Sequence, residues 1–443
     1  MKDLTKGYPA KIILLYTLPL MLGNILQQLY NLTDSKIVSM FVGTDALAAV
    51  GNTGVVSMMV IGFINGLSQG YSIPVARCFG ARDEMGMRRY VAGTIILSSL
   101  FTIVLTGVSL LIAEPCLRLL NTPDDIMAPS VSYLNIILAG MCFTSIYNVC
   151  ANTLRAVGDS KHPLYLLIIS IVLNIGFDYL FVGVFHWGID GAAYATILAQ
   201  AICAVTCIVL FVTKFKMLLP KKGEWKLTKD EYDQLLPIGF SMGFMSTLVN
   251  IGTVVLQGAI NGLGTVYVTA HAAARRIFCI LMCFIYTYGF AMTTYVSQNM
   301  GAGKYDRVRQ GVRHATVIVT ITSTILVIVC FLFGDDLIRF VVSTDDPRIV
   351  EPAVMYNQVG IAFFYVLGPL FILRCALQGM GKKSIPVISS LLELVIKAGS
   401  AFILVPFLHY FGVALTEPIS WIAMTTVLFI SYVRVTKKGL QNI

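Results

Sequence analysis

Asn174 and Asp178 stand four residues apart inside Pro163–Val184, a segment that is otherwise almost wholly apolar. That spacing puts both on one helical face, one turn apart. A carboxylate inside a bilayer costs on the order of 3 kcal/mol or more, so residues of this kind usually serve function. A second acid, Asp34, lies near the outer end of the first apolar segment, beyond Pro19. Thr196 sits about two turns into the segment that returns past Asp190. Counted from Pro163 at about 1.5 Å per residue, Asn174 lies about 16 Å and Asp178 about 22 Å along the helix. Four oxygen-bearing side chains from three segments therefore reach compatible depth. Hard cations take such oxygen ligands, and two neighbouring carboxylates hold a proton between them. The chemistry expected is the binding of H⁺ or Na⁺; a polar staple between helices is the plainer reading.

Glu393 and Lys397 repeat the i, i+4 spacing with opposite charges, and Arg275 and Arg276 lie within another apolar span. Unpaired charge in lipid is costly, so these four are expected to form a network that neutralises itself, with substrate binding or gating as the alternative. Cys203/Cys207 and Cys279/Cys283 are also spaced i, i+4, with His271 near the second pair. A closed zinc site needs four convergent ligands, so the cysteines read as small apolar filler and no metal is expected beyond Na⁺. The histidines are scattered, and neither a His-Glu-x-x-His run nor a protease motif is present, so no enzyme is expected and no cofactor.

The elements that must position these groups follow from composition. Of 443 residues, 57% are hydrophobic and 12% charged, against about 25% charged in soluble domains; the mean hydropathy is +0.79. β-Barrel alternation is absent, and only helices then satisfy their own backbone in lipid, so the chain is a polytopic helical membrane protein. The net charge of +9 is spread over short loops. That pattern fits membrane orientation and lipid contact rather than a nucleic-acid face.

Twelve spans are expected. Ile12–Phe41, Ala46–Ala76, Tyr90–Ala113, Ser130–Thr153, Pro163–Val184 and Ala192–Val212 precede a charged stretch, Thr213–Gln234. Leu235–Leu263, Val266–Val296, Gly311–Phe333, Val350–Leu373, Ile385–Phe407 and Pro418–Val435 follow it. The domains are thus 1–212, a cytoplasmic linker 213–234, and 235–443. With both termini in the cytoplasm, 25 Lys and Arg fall in inner segments, Arg374 among them, and four in outer ones. Two outer loops carry Asp124-Asp125 and Asp345-Asp346 instead. The basic N-terminus leads into the first membrane helix rather than a cleaved signal.

The halves repeat. Gly80-Ala81-Arg82-Asp83 returns as Gly301-Ala302-Gly303-Lys304, and the stretch ending in Pro163 returns as the one ending in Pro386. Pro19 and Pro237 hold matching early positions. Each half has an even number of spans, so the fold expected is all-α: twelve transmembrane helices in two six-helix bundles related by a pseudo-two-fold along the membrane normal.

The chain resembles the multidrug and toxic compound extrusion (MATE) transporters over nearly its whole length. The resemblance is carried by Asn31-Leu32-Thr33-Asp34, Phe41-Val42-Gly43-Thr44-Asp45-Ala46-Leu47-Ala48-Ala49-Val50, the Leu-Arg-Ala-Val-Gly-Asp run from Leu154, Asn174-Ile175-Gly176-Phe177-Asp178, and the run Gly188–Thr196. It implies a V-shaped pair of bundles in the cell membrane, exporting small organic cations by antiport with H⁺ or Na⁺; a monomer is expected. In the family's DinF-like bacterial branch, a cation site of the first bundle matches Asp34, Asn174, Asp178 and Thr196, and a bent first helix matches Pro19. Other branches place functional acids in helices seven and ten. Here Leu235–Leu263 has none, and Val350–Leu373 has only Glu351 at its edge. A flippase for lipid-linked precursors, from the same superfamily, is the alternative that Arg275, Arg276 and Lys397 favour and the two aspartates oppose.

Two apolar patterns complete the reading. Gly62, Gly66 and Gly70 form a stripe suited to close helix packing. Met282, Phe284, Tyr286, Tyr288, Met292 and Tyr295 crowd one helix, as a surface for lipophilic cations or as ordinary packing.

Overall fold

The computed structural model describes residues 2–119, 122–342 and 346–440, without the side chains at 35, 44–48 and 342. Asp345 and the side chains of Thr44 to Ala48, named above, lie outside the described residues. The first half consists of α1 (Pro9–Phe41), α2 (Thr44–Ala81), α3 (Glu84–Leu119), α4 (Asp124–Ala139), α5 (Met141–Ala156), α6 (Lys161–Asp178) and α7 (Gly188–Thr213). The second consists of α8 (Lys229–Asn261), α9 (Thr265–Gly301), α10 (Tyr305–Val342), α11 (Pro347–Ala362), α12 (Phe364–Gly379), α13 (Ser384–Phe402) and α14 (Leu404–Lys437). Among the described residues ten spans are long and apolar enough to cross a membrane. The count becomes twelve when the pairs α4/α5 and α11/α12, bent by 43° and 51°, each make one span.

The order of elements repeats down to backbone detail. The fourth span is broken in both halves. A histidine with positive φ precedes the last helix of the first half, His186 at φ 54°, and another 223 residues later, His409 at φ 49°, breaks α14 near its start. Positive φ is uncommon outside glycine, so its recurrence at the repeat offset extends the likeness of the halves to the backbone.

Helix ends follow local chemistry. The Asp346 carboxylate accepts from the Arg348 N–H, with Pro347 at the first helical position of α11. Asp159 Oδ1 accepts from the N–H groups of Lys161 and His162 at 3.2 and 3.1 Å, closing the start of α6. Burial works to raise the Asp159 carboxyl, but the hydrogen bonds from His162 outweigh it and hold the group below its usual range.

The chain packs as two compact units. One takes residues 1–3 and 22–247, the other 4–21 and 248–443. Thus α1 and α8 are each divided: α1 changes units between Met21 and Leu22, just past Pro19. The segment between α7 and α8 belongs to the first unit, where Arg88 meets Glu224 at 2.9 Å and Arg89 meets Glu231 at 2.7 Å. The Arg88 guanidinium holds the Glu224 carboxyl below its usual range. Within this unit two glycines of the α2 stripe, Gly66 and Gly70, do pack closely. A Cβ on Gly66 would sit 2.6 Å from the Met242 carbonyl, and one on Gly70 would sit 2.7 Å from Gly239 Cα. Only glycine permits that approach of α2 to the first part of α8.

The second unit has one large apolar core, to which Tyr288, Met292 and Tyr295 of α9 belong. These three of the crowded residues are therefore packing, and Met282 and Phe284 lie against the same core. Two span boundaries drawn from sequence are corrected. α12 continues past Leu373 to Gly379, so Arg374 is buried within a helix rather than in an inner loop. α14 starts well before Pro418, which puts Glu417 inside a helix as well. Both expected boundaries fall where an apolar run meets a charge. The charges here are paired, and a paired charge does not end a span.

Candidate functional site

The part of α1 that belongs to the first unit carries Tyr30 and Asp34, four residues apart and so on one face. α6 presents Asn174 and Asp178, both buried. α7 presents Thr196. These three helices bring together all four residues expected from the sequence. The Asp34 and Asp178 carboxyl groups lie close enough to interact directly. The Asn174 amide is satisfied in one orientation: its nitrogen donates to Tyr30 Oη and to Asp178 Oδ2, each at 2.9 Å, and its oxygen accepts from the Thr196 N–H at 3.1 Å. The Thr196 hydroxyl donates to the Ala192 carbonyl at 3.0 Å.

Asp178 is 0% exposed. Two ionised carboxylates only accept and repel each other, so holding them together favours a proton or cation between them. The remaining oxygens, Asp34 Oδ1 and Asp178 Oδ1, are buried and have no hydrogen-bond partner. Most buried polar atoms in native proteins are satisfied, and an exception calls for an explanation. Two free carboxyl oxygens, ringed by phenol, amide and hydroxyl oxygens, suit a proton or a small hard cation. Among the described residues no Lys or Arg pairs with either acid; Lys36, near Asp34 in sequence, is exposed.

Two phenols and a backbone feature join the site without having been expected from the sequence. Tyr30 bonds to Asn174, and Tyr133 of α4 lies close enough to feel both carboxylates. The i, i+4 spacing of Tyr30 and Asp34 is a usable signal; nothing local marks Tyr133. Directly after Asp178 the helix widens into a π-helical turn, Tyr179–Val184. Such turns often occur at functional sites, and this one has no distinctive residue pattern.

The charges of the second unit are arranged otherwise. Lys397 Nζ meets Glu393 Oε1 at 2.9 Å along α13, and Arg374 Nη2 of α12 lies 3.6 Å from Glu393 Oε2. Arg275 Nη1 of α9 pairs instead with Glu417 Oε1 of α14 at 3.1 Å, and its guanidinium lies over the Phe278 ring. Arg276 is exposed and takes no part. The expected foursome is thus two groups, with Arg374 and Glu417 added and Arg276 outside. Pro19 lies within α1, which continues as a helix through it. The missing N–H leaves one carbonyl of the preceding turn without its helical partner. Among the described residues no group of three or more His, Cys, Asp or Glu could hold a metal ion.

Repeated six-span halves with a buried oxygen cluster define a membrane transporter of the parallel-repeat class. The MatE family model matches the chain twice, over residues 19–180 and 241–403. The chain belongs to that family, the multidrug and toxic compound extrusion transporters. It is 30% identical over 383 residues to the Bacillus subtilis protein named Probable multidrug resistance protein YpnP, covering 86% of this chain and 84% of that one. It is 25% identical over 429 residues to Probable multidrug resistance protein NorM of Thermotoga maritima, covering 94% and 88%. A crystal structure of a MATE protein in complex with MaL6 superposes with a TM-score of 0.92 at 23% identity, over 100% of this chain and 99% of that one.

Proposed function

We propose that this transporter exports organic, mostly lipophilic cationic compounds from the cell by antiport with H⁺, the ion entering at the Asp34–Asp178 pair. The observation that carries the reading is the pair itself: two adjacent acids, Asp34 half-buried and Asp178 fully buried, each with one buried oxygen lacking a hydrogen-bond partner and, among the described residues, no cationic partner. Asn174 supplies the donor that fixes Asp178, Tyr30 orients the amide, and Thr196 anchors the amide oxygen through its backbone. Coupling requires the ion to bind one conformation better than the other, because equal affinity shifts nothing. Pro19 is the proposed hinge in α1, next to the point where that helix passes from one unit to the other. The cycle is alternating access by two bundles, 1–212 and 235–443, joined by 213–234, in the cell membrane with both termini inside. No bond in the cargo is made or broken. The protein works as a monomer among lipids.

The two free carboxyl oxygens also support Na⁺ as the driving ion, since they are hard ligands at one place. Everted vesicles given a lipophilic cationic dye in the medium separate the readings when a pH gradient and a Na⁺ gradient, each with the ion high inside, are imposed in turn. Dye uptake with the pH gradient alone supports H⁺, and uptake with Na⁺ alone supports Na⁺. Dye movement indifferent to both gradients sinks the coupling, and translocation of a lipid-linked precursor in its place gives the flippase reading the site.

A further inference from the structure

The second unit contains a cavity of about 170 Å³ for which the cation site has no use. Five charged groups line it: Arg275, Arg374, Lys397, Glu393 and Glu417. Both acids are already engaged, Glu393 with Lys397 and Arg374, and Glu417 with Arg275. Three cations against two acids leave one positive charge over. The least compensated group is Arg374. Its residue is 5% exposed, its contact with Glu393 is long at 3.6 Å, and its Nε–H has no hydrogen-bond partner. A buried guanidinium N–H without an acceptor is costly, and a surplus charge inside a membrane span more so. The rest of the wall is apolar and aromatic, with Phe371 and Trp421 among it.

We propose that this cavity is a binding subsite for an oxyanion carried on an apolar body: a carboxylate or phosphate taken by Arg374, with a ring or alkyl portion against Phe371 and Trp421. One anionic group would neutralise the surplus and fill the open Nε–H, and the planar guanidinium fork suits such oxyanions. The volume sets the scale. Pockets for whole drug-sized ligands run to about 300–1,000 Å³, so this one holds a head group or single ring of a larger molecule. The inference goes beyond the cation-export reading, because the subsite lies in the other unit and has the opposite charge preference. The compounds it admits are zwitterionic or anionic amphiphiles.

The test is equilibrium binding to the full purified chain with no gradient, so a failure of ion-coupled efflux leaves it untouched. The chain has three tryptophans. With Trp187→Phe and Trp225→Phe in place, fluorescence reports on Trp421 alone. The probes are 3-phenylpropionate, its amide, and 3-phenylpropylamine. The carboxylate is expected to bind at least tenfold more tightly than the amide, with the amine weakest. Arg374→Gln should remove that preference and Arg374→Lys should keep part of it. Equal binding of acid and amide by the parent chain overturns the proposal, whether or not Arg374→Gln folds; so does an acid preference that survives in a folded Arg374→Gln. Nanodiscs then separate the sources of the oxyanion. Displacement of 3-phenylpropionate by phosphatidic acid but not by phosphatidylcholine assigns the subsite to a lipid head group, and no displacement by either assigns it to a free amphiphile.

Discussion

The two units solve the problem of buried charge in opposite ways. In the first, two acids meet with, among the described residues, no cation beside them; the Asn174 amide donates to Asp178 and is itself held by Tyr30 and Thr196. In the second, each acid meets at least one cation, and the excess charge is positive. A like-charge pair is destabilising until a proton or cation arrives. It is therefore responsive to ions and contributes little to holding the fold together. An opposite-charge group is neutralised from within, and breaking it strands a charge in low dielectric. The repeat offset sharpens the contrast. Asn174 and Lys397 are 223 residues apart, at equivalent places in the two halves, so one position carries the amide of an acid cluster in one unit and the ammonium of an ion pair in the other.

The largest expected effect comes from Asp178→Asn. Gradient-driven dye efflux should fall by about 100-fold, near the upper end of typical coupling energies. The melting temperature of the purified protein should hold or rise, because a like-charge contact is removed. A clear drop in melting temperature would erase the contrast between the units.

Glu393→Gln should do the reverse. It leaves Lys397 and Arg374 buried without their acid, which costs about 3–5 kcal/mol of stability when one partner of such a pair is lost. Thermal unfolding in detergent should show it, while ion-driven efflux per folded molecule persists. Adding Lys397→Met should recover part of the loss. A Glu393→Gln protein of unchanged stability that has lost coupling would make the second unit an ion site too.

Asn174→Ala is a smaller change. It removes the donor to Asp178, worth about 1–3 kcal/mol for a buried group. The driving-ion concentration for half-maximal efflux should shift by roughly thirtyfold at the centre of that range. Arg276→Gln should be smallest, within about 0.5 kcal/mol, as for exposed sites outside any network. Arg275→Gln, which strands Glu417, should cost clearly more in the same thermal melt.

Much of this contrast is legible in the residues alone. Asp34, Asn174, Asp178 and Thr196 stand out because polar groups are rare in such spans, and helical spacing puts two of them on one face. The Glu393–Lys397 pair is legible for the same reason and is formed at 2.9 Å. Tyr133 is not, because a tyrosine in an apolar helix is common and its relevance comes from a neighbour distant in sequence. Arg374 and Glu417 read wrongly as span boundaries, since hydropathy treats any charge as the edge of the lipid.

The sequence by itself determined the class: a helical membrane protein of two repeated halves, with Asp34, Asn174, Asp178 and Thr196 each assigned a helix and a depth. Those properties follow from backbone satisfaction in lipid and from a period of about 3.6 residues per turn, both local. Only the tertiary structure decided the partners. Period and depth do not say which helix stands opposite. That Asp34 meets Asp178 rather than Lys36, that Arg275 takes Glu417 and leaves Glu393 to Lys397 and Arg374, and that α1 divides between units just after Pro19 are consequences of how helices distant in the chain pack.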